Sequence, residues 1–293
     1  MSFYDDILAR LYTPSPWSST HESAVLEPFT YVTSNPGKEI LDRLIEGFNI
    51  WMNIPMDEKP VISKVVNMLH NTNNSQLRRG RPVAHSLYGI PQTINAANYI
   101  SFWPIKNCLP SKALDMCRSE EMTETAAELL NLHRGQGLEL LWRDSFQCPT
   151  EEEYIGMVNK KTGGLLRIGI KLMMACFTTN VDTDYVPLMD LLGYSSNKGF
   201  AEDLSEGKFS FPVMHGVRAD TSNCQILNVL QKRPTAPTLK THAIAYLKTH
   251  TKPFEYTLSV LDSLERQTRA EVSRLEGNAG LDSIREDHRC APC

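Results

Sequence analysis

The sequence predicts an all-α fold, on three observations. Apolar residues recur at helical spacing along most of the chain, prolines separate the resulting stripes, and no run of β-alternation competes. No internal repeat is visible. A chain of 293 residues with 41% hydrophobic residues can bury a large core in one large domain or two small ones. A single helical domain over 26–285 is expected, with an irregular N-terminal arm over 1–25 and a tail over 286–293.

The elements follow in order. Residues 1–25 mix proline, serine and threonine around Tyr12 to Trp17 with no period, hence the arm. From Gly37, Ile40, Leu44, Ile45, Phe48 and Trp51 form an apolar stripe that Pro55 ends. Pro60 suits the first turn of a second helix, and Ile62, Val65, Val66 and Leu69 supply its buried face. Further helices are expected over 92–102, 121–142 and 151–177, with breaks at 104–110 and at Cys148-Pro149. Thr150 followed by three glutamates reads as an N-cap with acids in the first turn. The last long helix, 253–275, spaces Leu258, Leu261, Leu264, Thr268, Val272 and Leu275 along one stripe.

Composition narrows the function classes. A net charge of -4 and a pI near 6.1 give no overall attraction to nucleic acid or to an anionic membrane, so any basic site is a local cluster. The seven cysteines show no CxxC pairing, which argues for reduced thiols and against zinc. Met1 to Arg10 lacks the apolar core of a secretory signal, and no apolar run approaches the roughly 18 residues of a membrane span. A soluble, cytoplasmic protein is expected. Cys290-Ala-Pro-Cys293 has a cysteine four from the end, but its proline and terminal cysteine make a poor prenylation box.

The chemistry concentrates in a few segments. Leu77-Arg78-Arg79-Gly80-Arg81-Pro82 sets adjacent arginines in a compact fork suited to a diphosphate. With it come Asn35-Pro36-Gly37-Lys38, Met68-Leu69-His70-Asn71, Gly89-Ile90-Pro91-Gln92-Thr93, His133-Arg134-Gly135-Gln136-Gly137, Lys161-Thr162-Gly163-Gly164 and Glu206-Gly207-Lys208-Phe209-Ser210-Phe211-Pro212. In this order the segments closely resemble the geranylgeranyl diphosphate synthases of the fungal and animal type, from about Leu26 to about Gly277.

The resemblance implies an isoprenoid synthase fold, with antiparallel helices around a deep cavity, and a magnesium-dependent trans-prenyltransferase. It implies that Lys38, His70 and Arg79 bind isopentenyl diphosphate and that Arg78, Lys161, Thr162, Lys198 and Lys208 face the allylic diphosphate. Two departures stand out. The family's paired-aspartate motifs, which hold magnesium, are missing: His70 to Gln76 runs straight into Leu77, and Leu188 to Gly193 passes directly to Tyr194-Ser-Ser-Asn-Lys198. Leu41 also stands where the family usually has an arginine three residues after the lysine of Gly-Lys. No metal ligand is therefore assigned.

Other residues carry plainer expectations. Glu202, Asp203 and Glu206 read as a solvated acidic face rather than a makeshift metal site, the alternative open to the same acids. Segments 133–137 and 142–144 suit helix packing as well as catalysis. Paired glycines inside an apolar helix cost roughly 1 kcal/mol each and invite a packing or ligand explanation.

The function implied is condensation of isopentenyl diphosphate with dimethylallyl, geranyl or farnesyl diphosphate to geranylgeranyl diphosphate for terpenoid biosynthesis. The alternatives are a catalytically impaired binding or regulatory subunit, and a splice or gene-model variant of an active synthase, since two short blocks are lost while the flanks are intact. By the same resemblance the protein is a homodimer or higher oligomer.

Overall fold

The computed structural model describes residues 17–34, 40–70, 77–78, 81–107, 121–195, 200–234 and 237–281. Among them the fold is all-α, apart from a two-residue antiparallel ladder. They belong to two compact units, one within Met1–Pro36 and Asn71–Trp103, the other within Gly37–His70 and Pro104–Cys293.

In the first unit, α1 (Ser19–Thr33) starts well inside the expected arm. The Ser18 hydroxyl accepts the His21 N–H and caps the helix, so serine-rich composition here marks a helix start and corrects the irregular reading from residue 19 onward. Residues 1–16 lie outside the described residues. The strands β1 (Leu77–Arg78) and β2 (Arg81–Pro82) pair Leu77 with Pro82 and Arg78 with Arg81. The Tyr31 hydroxyl of α1 donates to the Pro82 carbonyl at 2.8 Å, and its ring meets Tyr88 of α4 (Ala84–Tyr88) edge-on. α5 (Ile90–Asn107), whose residues as far as Trp103 belong to this unit, is tied to α1 by the Tyr99 hydroxyl donating to Glu22 Oε2 at 2.7 Å. It runs through Pro104, where a break was expected; proline removes one backbone donor and strains the turn, but the helix continues to Asn107.

Among the described residues the second unit holds two cores. The first joins α2 (Ile40–Met52), α3 (Lys59–His70), α8 (Gly164–Cys176) and α9 (Val186–Ser195), with Phe48, Ile62, Ile170, Met173 and Leu188 fully buried. Every residue read as the buried face of α3 is buried, and Trp51 of the α2 stripe stacks on Tyr185 at 5.5 Å. The second core joins α7 (Glu151–Val158), α10 (Phe200–Glu206), α11 (Phe211–Ala219), α12 (Gln225–Lys232) and α13 (Pro237–Tyr246), around Leu204, Val213, Leu230 and Leu247.

Between the cores lies the segment expected as one helix over 151–177. It begins as predicted: Thr150 caps α7 in a reciprocal capping box with Glu153. At Asn159–Gly163, however, it widens into a π-helical turn before continuing as α8. The last helix, α14 (Pro253–Arg274), buries only part of its predicted stripe: Thr268 and Val272 are buried, whereas Leu258 is 51% exposed. Among the described residues no helix is long and apolar enough to cross a membrane.

Candidate functional site

Of two π turns among the described residues, Asn159–Gly163 and Leu247–Thr251, the first is the local feature from which the site is built. A wide turn of this kind is uncommon and concentrates at functional positions. Here it carries Lys161 and Thr162 against α6 (Glu121–Ser145). The approach depends on Gly135: a Cβ there would lie 2.5 Å from the Lys161 backbone nitrogen and 2.8 Å from the Met157 carbonyl oxygen. The glycine in His133 to Gly137 thus has a packing cause.

One turn further along α6, Glu139 meets the lysine. Lys161 Nζ lies 2.8 Å from Glu139 Oε2, with the two side chains 17% and 15% exposed. The Gln136 side-chain amide also donates to Glu139 Oε2, at 3.3 Å. Burial opposes the charge on Glu139, but Lys161 and Lys208 together with these hydrogen bonds outweigh it and hold the carboxyl below the usual range.

Lys208 arrives from the other side. Gly207, at φ +70°, turns the chain out of α10 in a conformation glycine adopts freely, and the Lys208 N–H donates to the Asp203 carbonyl at 3.0 Å. Lys208 Nζ pairs with Glu206 Oε2 at 2.5 Å. Burial disfavours its ammonium, yet Glu139, Glu206 and Asp203 raise its pKa above the ordinary value. Asp203 itself is pushed up to about 7, chiefly by burial and further by Glu206 and Glu139, with Lys208 and Ser210 pulling the other way.

Toward the solvent, Asp144 joins Arg143, at 2.8 Å, to Arg233, at 2.9 Å. Hydrogen bonding to Asp144 raises the Arg143 pKa, and Glu139 and Glu206 add to it through their field. The arrangement is a half-buried, nearly neutral cluster of lysines and carboxylates with two arginines at its edge, able to exchange internal carboxylates for an incoming polyanion.

The predicted residues divide clearly. Lys161 and Lys208 come together around Glu139, and Thr162 shares the turn of Lys161. His70 is the last residue of α3 and is exposed. Arg78 stands in β1, where the backbone alone is described. Lys38, Arg79 and Lys198 lie outside the described residues. The expected solvated acidic face is corrected for Asp203 and Glu206, which are half-buried beside Lys208, while the Glu202 side chain lies outside the described residues. Sequence reasoning missed Glu139, although it lies three residues after Gln136 of a segment already singled out.

These residues do not fit a magnesium ion. Among the described residues no group of three or more histidine, cysteine, aspartate or glutamate side chains is placed to hold a metal. Glu139 and Glu206 each face an ammonium instead.

Comparison with known proteins decides the family. The profile of the family described as polyprenyl synthetase matches residues 22–247, most of the chain. The chain belongs to the polyprenyl synthetase family. It is 47% identical to a geranylgeranyl pyrophosphate synthase of Hericium erinaceus, covering 93% of this chain and 94% of that one. It is 44% identical to a geranylgeranyl pyrophosphate synthase of Mucor circinelloides f. lusitanicus, covering 92% and 94%. With the IDS-like terpene synthase 1 of Melampsora lini the identity is 41%, covering 98% and 94%. The Hericium alignment spans 318 positions, more than the 293 residues of this polyprenyl synthetase, so parts of that relative lie opposite gaps in this chain. The all-α architecture is the one expected of this family.

Proposed function

We propose that this protein is a trans-prenyltransferase of the geranylgeranyl diphosphate synthase type, joining isopentenyl diphosphate to dimethylallyl, geranyl or farnesyl diphosphate. The observation that carries the reading is the convergence of Lys161 and Lys208 on Glu139, two cations held ready in a chain 47% and 44% identical to synthases of that name. Arg78, Lys161, Thr162, Lys198 and Lys208 hold the allylic diphosphate in this reading, and Lys38, His70 and Arg79 hold isopentenyl diphosphate.

The chain's own residues prepare the site for a polyanion. A buried ammonium without a partner is costly, and Glu139 and Glu206 neutralise two of them until a diphosphate displaces them. Asp203, with its pKa near 7, takes up a proton as that negative charge arrives. The reading includes a cytoplasmic homodimer or higher oligomer, and magnesium as the cofactor by family resemblance alone.

A second reading is favoured by a specific observation: no carboxylate group suited to a metal is found among the described residues. In that reading the chain binds diphosphates as a subunit that does not turn them over. Radiolabelled isopentenyl diphosphate with farnesyl diphosphate separates the two. Labelled geranylgeranyl diphosphate above a protein-free blank supports the synthase; tight binding with no product supports the subunit.

A further inference from the structure

Arg167 of α8 is 8% exposed, and its guanidinium ties together three elements. Its Nε lies 3.0 Å from Glu128 Oε1 on α6. Its Nη1 lies 2.7 Å from Asp190 Oδ1 on α9 and donates to Asn159 Oδ1 at 2.6 Å. Its Nη2 donates to the Asn159 carbonyl at 3.1 Å. Asn159 opens the π turn, so two of the four contacts fall on the residue where the helix departs from α geometry. The space the guanidinium uses exists because residue 163 is glycine: a Cβ there would lie 2.7 Å from both Arg167 Nη1 and Asn159 Oδ1.

A fork with fixed donor geometry can hold a carbonyl, an amide oxygen and two carboxylates at once, which no ammonium can. The π turn needs such a hold, because it is a rare departure within a helix whose default is the α form. Were the turn to relax by one residue, the side chains on one side of it would rotate by roughly 100° relative to those on the other. Lys161 would then leave Glu139.

We infer that Arg167 is a positioning residue: through Asn159 it holds the π turn in the shape that presents Lys161 and Thr162 to a diphosphate, without touching that ligand. The inference rests on the proposed role of Lys161 for its purpose, though not for the clamp itself.

Two measurements test it on the full chain. Asn159→Ala removes the side-chain acceptor yet leaves Arg167 its two carboxylates, so the fold is retained; Arg167→Lys is the second variant. Hydrogen exchange of the amides over 159–165 is expected to accelerate roughly ten- to a hundred-fold in both, the factor carried by a hydrogen bond to a charged group. Exchange over 225–232 stays as in the wild type. Unchanged exchange over 159–165 overturns the clamp.

Calorimetric titration with inorganic pyrophosphate reads the purpose. Affinity is expected to fall about tenfold in Asn159→Ala, and this loss disappears when Lys161→Ala is already present. An equal loss with and without Lys161 overturns positioning through that lysine. A wild-type chain that binds no pyrophosphate sinks the diphosphate reading and with it the stated purpose, while hydrogen exchange still decides the clamp.

Discussion

Glu139 of α6 and Lys161 of the π turn meet at 2.8 Å with both side chains mostly shielded from water. The same carboxylate pulls electrostatically on Lys208. It therefore has two opposed effects, supporting the fold by neutralising buried ammoniums and competing with any anionic ligand for them. Glu139→Gln separates these effects. Removing one partner of a buried pair is expected to lower unfolding stability by roughly 3 to 5 kcal/mol at the buried limit, read from urea midpoints. Affinity for inorganic pyrophosphate should rise, because the internal competitor is gone. A variant losing both stability and affinity would show that Glu139 orients the lysines rather than occupying them.

Asp203 makes stability depend on pH in a definite direction. Its carboxyl binds a proton more tightly in the folded chain, about 7 against an ordinary 3.8, so its contribution is complete below about 4 and is lost as pH rises to about 7. The loss is at most about 4 kcal/mol, at roughly 1.4 kcal/mol for each tenfold change in proton affinity. Asp203→Asn should flatten this part of the stability curve and leave the variant more stable than wild type at pH 8. Glu139 works oppositely: its lowered pKa gives stability present above the ordinary carboxylate value and lost as pH falls below it. Chemical denaturation from pH 4 to 8 in wild type and Asp203→Asn checks the sign.

Gly135 and Gly137 lie two residues apart in α6 and should respond in opposite directions to alanine. At 135 the new Cβ meets backbone on the facing turn, which cannot move aside, so Gly135→Ala is expected to cost about 1 to 3 kcal/mol or more and to weaken pyrophosphate binding through Lys161. At 137 nothing lies within 4 Å, and alanine should stabilise the helix by roughly 0.5 to 1 kcal/mol. Thermal unfolding of the two variants, side by side, is the check.

Those glycines also show where the sequence could be read and where it could not. The stripe from Leu44 to Trp51 and that from Ile62 to Leu69 are buried as expected, because each faces one core and a 3.6-residue period records that directly. Thr150 was legible because capping is local chemistry. The π turn was not, since one inserted residue barely disturbs an apolar pattern while it rotates every side chain beyond it. Asp203 and Glu206 were misread because charge alone predicts solvent, and the ammonium that draws them inward reaches them only after Gly207 turns the chain. Lys161 and Lys208 were legible as cations; Glu139, which gathers them, and Arg167, which fixes the turn, follow from packing. The helix α1 was hidden by its own capping residue and by Pro28 within it.

The family's paired aspartates are absent from this sequence, and among the described residues Glu139 and Glu206 are paired with lysines and no three carboxylates are grouped for a metal. Lysines and arginines can hold a diphosphate in the ground state. Acceleration requires interactions that strengthen as charge develops on the departing pyrophosphate, and fixed ammoniums already paired with glutamates supply less of that. The 293-residue chain is therefore expected to bind isopentenyl diphosphate measurably, yet to form labelled product from farnesyl diphosphate far more slowly than a form with the two missing blocks restored at 70–77 and 193–198. Parallel assays of both forms, with and without magnesium, make the comparison. Comparable magnesium-dependent rates would show that acids already in this chain suffice, Glu202, Asp203 and Glu206 being the first to replace by their amides, and would sink the claim that the lost blocks limit catalysis.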